Sequence, residues 1–244
     1  MTRLAPTVPA EHDLLCEGCG YTLNGLPDDS RCPECGKPIE ESIGHDREAT
    51  SVERGRGIGK RLAGFFVTSA AVLFRPTHFY RTLKTRDRVA TARRFAWIHW
   101  SVTSLLFGLA GYVHTTWYLQ LGGGGKRVDY WTIVALGALT FFAIAGTTAI
   151  AARLTTWEAT YRGIRLPLAV VRRGLYYHAA HYLPVAIVAV ATVIGYQVLL
   201  SRRVVGIATA SNYLYVLSGE VIVAALYLFH TYWIGMRNMM YANR

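Results

Sequence analysis

Four cysteines have the spacing of a metal-binding site. They form the pairs Cys16-x2-Cys19 and Cys32-x2-Cys35, with twelve residues between the pairs. Each pair can form a tight turn that presents two thiolates to one ion, and four thiolates complete a tetrahedral zinc site. Four protein ligands leave no open coordination position, so the pattern predicts a structural Zn²⁺ rather than a catalytic one.

The residues around the cysteines agree with a small zinc-ribbon β head over 16–38. Gly20 and Gly36 follow the second cysteine of each pair, where we expect positive φ and an approach of backbone N–H groups to the sulfurs. Asn24-Gly25 predicts a turn. A segment this short cannot bury a sufficient core, so the metal would supply most of its folding energy. Iron in a rubredoxin-like site, a redox dithiol and two disulfides are the alternatives; disulfides require an oxidising compartment.

The strings CGYTLNGLP and CPECG within residues 16–38 resemble a zinc ribbon at the N-terminus of many uncharacterised bacterial membrane proteins, especially of planctomycete type. The ending GMRNMMYANR is similar to the ending of such proteins. The resemblance implies a membrane-tethered zinc ribbon of unknown biochemical role and brings no catalytic residues. RPTHFYRTL and RRGLYYHAAHYLP are similar to Yip1-type membrane domains, which implies a membrane-organising role as an alternative.

A second group of polar residues lies in apolar surroundings. Glu220 is the only acidic residue inside any predicted span, and an ionised carboxylate there needs a partner or a proton. His114, Tyr196 and Gln197 fall in the same half of their spans, so we expect Glu220 to hydrogen-bond one of them. The group is interpreted either as a link between helices or as an intramembrane proton or cation site.

The elements that position these groups are membrane helices. Between Phe95 and Gly125 the sequence contains no Asp, Glu, Lys or Arg, and twenty residues separate Trp97 from Trp117. That separation spans about 30 Å in a helix, which matches a bilayer core with an indole at each boundary. A buried core helix is the soluble alternative. The predicted spans are 97–119, 130–152, 181–201 and 211–235.

Composition favours the same class. The 244 residues are 52% hydrophobic, and the net charge of +11 comes from basic residues that lie beside the apolar spans. That placement suits the anionic lipid headgroups of a cytoplasmic leaflet better than nucleic acid. The first sixty residues contain no apolar signal-peptide core. We therefore expect an all-α membrane protein, a four-helix transmembrane bundle with a small N-terminal zinc-ribbon β head.

The remaining segments complete the predicted domain organisation. Residues 1–15 are expected to form a loose leader, 39–60 a flexible linker, and 61–94 interfacial and basic helices before the membrane domain 95–244. Within 61–94, residues 62–74 are too short to span and read as an interfacial helix, followed by a basic helix over 77–94. A cytosolic helical pair and a fifth span are the alternatives for residues 62–74.

Charge bias sets the predicted orientation. Residues 54–94 carry eleven Lys and Arg, the segment 153–180 carries five and the tail two, whereas the loops 120–129 and 202–210 carry two each. With four spans, the N-terminal segment, the middle loop and the tail all fall on one side of the membrane. The expectation is a multi-pass protein of the bacterial cytoplasmic (inner) membrane with both termini in the cytosol. The basic segment 153–180 is expected to face lipid headgroups, or else to form a partner site.

The sequence contains no nucleophile–base set, HExxH motif or paired-carboxylate motif, so it gives no support to an enzyme. The favoured hypothesis is a non-enzymatic scaffold whose zinc ribbon docks a cytosolic protein. The alternatives are a small transporter or ion-handling membrane protein that uses Glu220, and the Yip1-like role.

Overall fold

The computed structural model of the protein describes residues 7–43, 47–85, 89–121, 128–202 and 210–243. This part of the chain is mainly helical, and its β structure is confined to isolated bridges. The helices are α1 (Glu40–Ile43), α2 (Ser51–Arg54), α3 (Ile58–Phe74), α4 (Pro76–Thr82), α5 (Val89–Leu121), α6 (Trp131–Tyr161), α7 (Leu168–His178), α8 (Tyr182–Ser201) and α9 (Ala210–Met239). A 3-10 turn over Ala179–His181 joins α7 to α8.

Three segments of the described chain are long and apolar enough to cross a membrane: Trp131–Tyr161, Leu168–Leu199 and Asn212–Met239. They make the chain compatible with a membrane protein. The first predicted span lies in α5, which has 33 residues and therefore sufficient length. α5 is nevertheless not among the three candidate segments, because His99, His114 and several Ser and Thr residues make it less apolar than they are.

The long helices extend beyond the apolar stretches from which they were predicted. α5 begins eight residues before Trp97, and α6 continues nine residues past 152. Hydropathy detects only the apolar stretch, whereas the helical backbone continues through charged turns. At the end of α6, Glu158 forms an i,i+4 ion pair at 2.6 Å with Arg162, the residue that follows the helix.

The chain divides into two compact units. Unit 1 contains Met1–Phe95, Thr148–His178 and Thr231–Arg244, and unit 2 contains Ala96–Thr147 and Ala179–His230. Most of two predicted loops, residues 122–127 and 203–209, lies outside the described residues. Unit 1 therefore joins three segments that are far apart in sequence, and it contains all four cysteines.

The predicted flexible linker is wrong for residues 47–54, which pack within unit 1. The backbone N–H of Val52 donates to Thr68 Oγ1 of α3 at 3.2 Å. Gly64 lets α3 approach this segment, because a Cβ there would collide with the Ser51 carbonyl. A polar composition is typical of a linker, but the backbone of this segment has a partner on α3.

The predicted continuous basic helix over 77–94 is also wrong. α4 ends at Thr82, and Leu83 forms a parallel bridge with Glu48. Two backbone hydrogen bonds support this bridge, from Glu48 N–H to the Thr82 carbonyl at 2.7 Å and from Lys84 N–H to the Glu48 carbonyl at 3.0 Å. Pairing with a segment distant in sequence has overridden local helix preference.

α3 has the two faces of an amphipathic helix. Gly64, Thr68 and Val72 are buried on one face. Phe66 and Phe74 remain 64% and 81% exposed. This exposure agrees with the expected surface for a bilayer interface at these two side chains.

The basic segment 153–180 does not present all its arginines to lipid. Arg165 and Arg173 are 7% and 0% exposed, and both bind other parts of unit 1. The prediction of a lipid-facing basic surface is therefore wrong for these two side chains. Arg162 remains exposed in its pair with Glu158.

Unit 2 brings together parts of α5, α6, α8 and α9. α5 and α6 approach closely at Gly108, where an added Cβ would collide with the Ile133 carbonyl of α6. Trp100 and Phe141 pack edge to face beside this approach, with ring centroids 6.2 Å apart. Small residues at the crossing allow the backbones to meet.

Candidate metal centre and polar groups of the long helices

The four cysteine sulfurs lie together within unit 1, all within 4.8 Å of one another. The separation is 3.5 Å between the Sγ atoms of Cys16 and Cys35 and 3.6 Å between those of Cys19 and Cys32. A tetrahedral site with Zn–S bonds of about 2.3 Å has sulfurs about 3.8 Å apart. The arrangement is therefore compatible with one zinc ion, and all four cysteines are free rather than paired in disulfides.

The two cysteine pairs belong to matching turns. Gly20 N–H donates to the Cys16 carbonyl at 2.8 Å, and Gly36 N–H donates to the Cys32 carbonyl at 2.9 Å. Both glycines have positive φ, 83° and 71°, which confirms the expectation from sequence. Gly25 also has positive φ and lies in the predicted turn.

The second turn repeats the first at an offset of sixteen residues, since 32 minus 16 and 36 minus 20 both give 16. The isolated bridge between Leu15 and Thr22 recurs as that between Arg31 and Pro38. The hydrogen bond from Leu23 N–H to the Leu14 carbonyl recurs as that from Ile39 N–H to the Ser30 carbonyl. The head is thus two copies of one turn rather than a ribbon of regular strands.

Backbone N–H groups point at the sulfurs, as the glycine positions predicted. Burial raises the pKa of Cys19 to about 12, although the Tyr21 N–H lowers it in part. Burial also raises the pKa of Cys32, but hydrogen bonds from the backbone N–H groups of Cys35 and Glu34 outweigh it and bring this pKa to about 7. The N–H groups are arranged to stabilise negative charge on sulfur, which is what a thiolate-bound metal requires.

The head has little else to hold it together. Its buried residues include Leu23 and Ile39, each 1% exposed, beside Cys16 and Cys32. So small a core supports the expectation that a bound metal supplies much of the folding free energy. The donor set fits zinc: four sulfurs, each able to ionise, at the separations of a tetrahedron. Bound zinc would hold the two turns together and would carry no reaction step.

The head is fixed to the rest of unit 1 through Glu17. Its carboxylate pairs with Arg47 at 3.1 Å, and the two side chains are 11% and 1% exposed. Arg47 also donates to the carbonyls of Tyr80 and Asn238, at 3.2 and 3.3 Å. Burial lowers the pKa of Arg47, and the charge of Glu17 partly restores it. This arginine joins the first cysteine turn to α4 and to the end of α9.

Asn243 makes a second connection between the head and the tail. Its side-chain oxygen accepts from Leu15 N–H at 3.0 Å, and its amide nitrogen donates to the Leu15 carbonyl at 2.7 Å. The same nitrogen lies 3.1 Å from the Ser42 carbonyl. Arg165 closes the group from the middle loop by donating to the carbonyls of Ala10 and Asp13, both at 2.7 Å. The predicted loose leader is therefore bound from residue 10 onward.

Sequence reasoning did not single out Arg47, Arg165, Arg173 or Asn243. One usable signal was present near them. Thr50-x-x-Glu53 is a capping-box pattern inside the predicted linker, and Thr50 N–H donates to the Glu53 carboxylate at 2.9 Å. A helix-start signal in a polar segment indicates an ordered structure rather than a linker.

The predicted polar group of the long helices lies within unit 2 and is centred on Tyr213. His114 Nδ1 lies 2.7 Å from the Tyr213 hydroxyl. The Tyr196 ring packs against the Tyr213 ring with centroids 5.0 Å apart. Gln197 donates to the Val113 carbonyl of α5 at 3.0 Å. The three predicted residues thus connect α5, α8 and α9 to one another.

Glu220 has a different environment. Its Oε2 atom is buried without a hydrogen-bond partner among the residues that the structure describes. The pairing predicted with His114, Tyr196 or Gln197 is therefore not made by this oxygen. The side chain instead lines an apolar cavity between α8 and α9.

Comparisons with protein-family profiles, with curated proteins and with solved structures find no match for this chain.

Proposed function

We propose that this protein is a non-enzymatic membrane scaffold with four spans, whose zinc-stabilised head, middle loop and tail form one docking unit on the cytosolic side of a bacterial inner membrane. The observation that carries this proposal is the composition of unit 1. It combines the N-terminal segment and residues 148–178, the two segments richest in Lys and Arg, with the C-terminal tail.

The contacts of Asn243 and Arg165 support the fourth span. With only the three most apolar segments in the membrane, the head before Trp131 and the tail after Met239 would lie on opposite sides. Asn243 in the tail, however, bonds Leu15 in the head, and Arg165 in the middle loop bonds Asp13. An additional crossing through α5 brings the head, loop and tail to one side.

A scaffold suits the chemistry of the unit. The four cysteines leave no coordination position for a substrate, so a bound metal would only stabilise the folded shape of the head. Glu17, Arg47 and Asn243 fix the head against the tail. The opposite surface of the head is therefore presented in a constant orientation. Tyr21 is 40% exposed on the first cysteine turn and offers an aromatic contact for a protein partner.

In-cell photo-crosslinking tests this function. A crosslinking amino acid at Tyr21 should capture the same cytosolic protein in repeated experiments, and Cys32→Ser should abolish the capture by removing a metal ligand. The matched control places the crosslinker at Tyr215, which is 76% exposed on α9. Capture of the same protein from both positions, or capture that survives Cys32→Ser, would contradict a docking role for the head.

A further inference from the structure

We propose that the groove between α8 and α9 in unit 2 binds a lipophilic organic cation, an ammonium or phosphonium ion that carries apolar groups. This inference is independent of the scaffold role, because it uses neither the cysteines nor any contact of unit 1. The evidence is an apolar groove of ligand size with one carboxylate in its wall.

The groove has the dimensions and lining of a small-molecule site. Its volume is about 570 Å³, and ligand cavities commonly measure about 300–1,000 Å³. Val188, Val216 and Ala224 belong to an apolar wall that Pro184 and other valines complete. Such a wall favours an occupant whose surface is mostly hydrocarbon.

Glu220 gives the groove its specificity. Its Oε2 atom is buried and has no hydrogen-bond partner in the described part of the chain. The other polar side chains of the lining are Thr192 and Tyr227, and Tyr227 already bonds His181 Nδ1 through its hydroxyl at 2.7 Å. No lysine or arginine lines the groove within the described residues. The lining offers an ionised Glu220 no positive side chain, so a cation that enters the groove would be its charge partner.

The class of cation follows from the same features. A small hydrated metal ion would need several oxygen ligands to replace its water, and the groove offers one carboxylate. A large organic cation spreads its charge and loses little hydration when it enters apolar surroundings. Its apolar groups would contact the valines while its charge faces Glu220.

Tetraphenylphosphonium is a suitable probe, and its binding is measured on the full-length protein in lipid nanodiscs. The wild type should bind it saturably. Glu220→Gln keeps the size of the side chain and should weaken binding about tenfold or more, the scale of losing one favourable charge interaction. Tetraphenylborate, an anion of nearly the same shape, should fail to compete.

A pair of neighbouring alanines separates the groove from the rest of the helix surface. Ala224 lines the groove and Ala225 is exposed outside it, so Ala224→Phe should abolish binding and Ala225→Phe should retain it. This pair also tests the proposal if Glu220→Gln does not fold. Absence of saturable binding to the wild type, undiminished binding to folded Glu220→Gln, equal effects of the two phenylalanines, or competition by tetraphenylborate would each overturn the inference. The last result would indicate occupation by acyl chains or another neutral apolar partner.

Discussion

Arg173 of α7 and Glu53 of α2 form a buried ion pair across 120 residues of sequence. The Arg173 Nη2 atom lies 2.7 Å from a Glu53 carboxylate oxygen, and the two side chains are 0% and 7% exposed. Glu53 also accepts from the Thr50 N–H, and the Thr50 hydroxyl lies 3.0 Å from the Tyr177 hydroxyl. The pair therefore fixes the segment after the head to α7, the first part of the candidate membrane segment Leu168–Leu199.

Arg173→Met should destabilise unit 1 strongly, because it leaves the Glu53 charge buried without its partner. The expected loss in the free energy of unfolding is about 3–5 kcal/mol. The double variant Arg173→Met/Glu53→Gln should recover much of it, because the amide keeps the cap on Thr50 without a charge. Denaturation of the purified protein in detergent measures both changes.

The exposed pair of Arg54 and Glu48 provides the control for the buried pair. Its atoms lie 2.6 Å apart, but the side chains are 57% and 63% exposed. Arg54→Ala should change the free energy of unfolding by less than about 1 kcal/mol. If Arg54→Ala and Arg173→Met lowered the free energy of unfolding equally, burial would not be what makes the Arg173–Glu53 pair important.

Asn243→Ala should release the tail from the head. The substitution removes the acceptor of Leu15 N–H and the donor to the Leu15 carbonyl, so hydrogen exchange at the Leu15 amide should accelerate. Asn238→Ala is the matched control, because the Asn238 side chain donates to the Ile234 carbonyl one turn earlier on the same helix. Unchanged exchange at Leu15 in Asn243→Ala would show that this contact does not hold the two segments together.

Cys32→Ser should remove the metal from the head. Elemental analysis of the purified full-length protein should find about one zinc per chain in the wild type and little in the variant, because three thiolates hold zinc less tightly than four. Asp28→Ser changes an exposed side chain in the same head and should keep the zinc. A wild type with two disulfides and no metal would refute the zinc assignment.

Gly108→Ala should disturb the crossing of α5 and α6. The added methyl would meet the backbone carbonyl of Ile133, so the helices must separate. Gly146→Ala is the matched control, since nothing lies within 4 Å of its added Cβ. The control should be neutral or slightly stabilising, because alanine favours helix more than glycine does. Thermal unfolding in detergent compares the two; a larger loss for Gly146→Ala would contradict the packing.

The clustering of the four cysteines could be predicted from sequence because both their chemistry and their spacing are local. The two turns each close within five residues, and Gly20 and Gly36 adopt the expected φ. The long apolar segments could also be located from sequence, since a membrane span requires apolar residues over its whole length. The predicted helix ends were less accurate, because charged residues such as Arg153 and Glu158 continue a helix without any hydropathic signal.

Long-range polar contacts could not be predicted in the same way. Arg47, Arg173 and Asn243 have partners between 30 and 228 residues away, and no local pattern shows which backbone groups will meet them. For Glu220, the sequence placed the candidate partners in the same half of their spans but did not show which atoms would meet. His114 has a closer partner in Tyr213, seven residues before Glu220 on the same helix. The Oε2 atom of Glu220 makes none of the predicted contacts among the residues that the structure describes.

In the proposed topology, α5 crosses the membrane and so brings the head, middle loop and tail to the cytosolic side. A topology reporter inserted in turn at Glu41 and Gly123 tests it most directly, because these sites lie on either side of α5 in sequence. The proposed topology predicts a cytosolic signal at Glu41 and an external signal at Gly123. The same signal at both sites would contradict this topology, in which α5 is the one crossing between them.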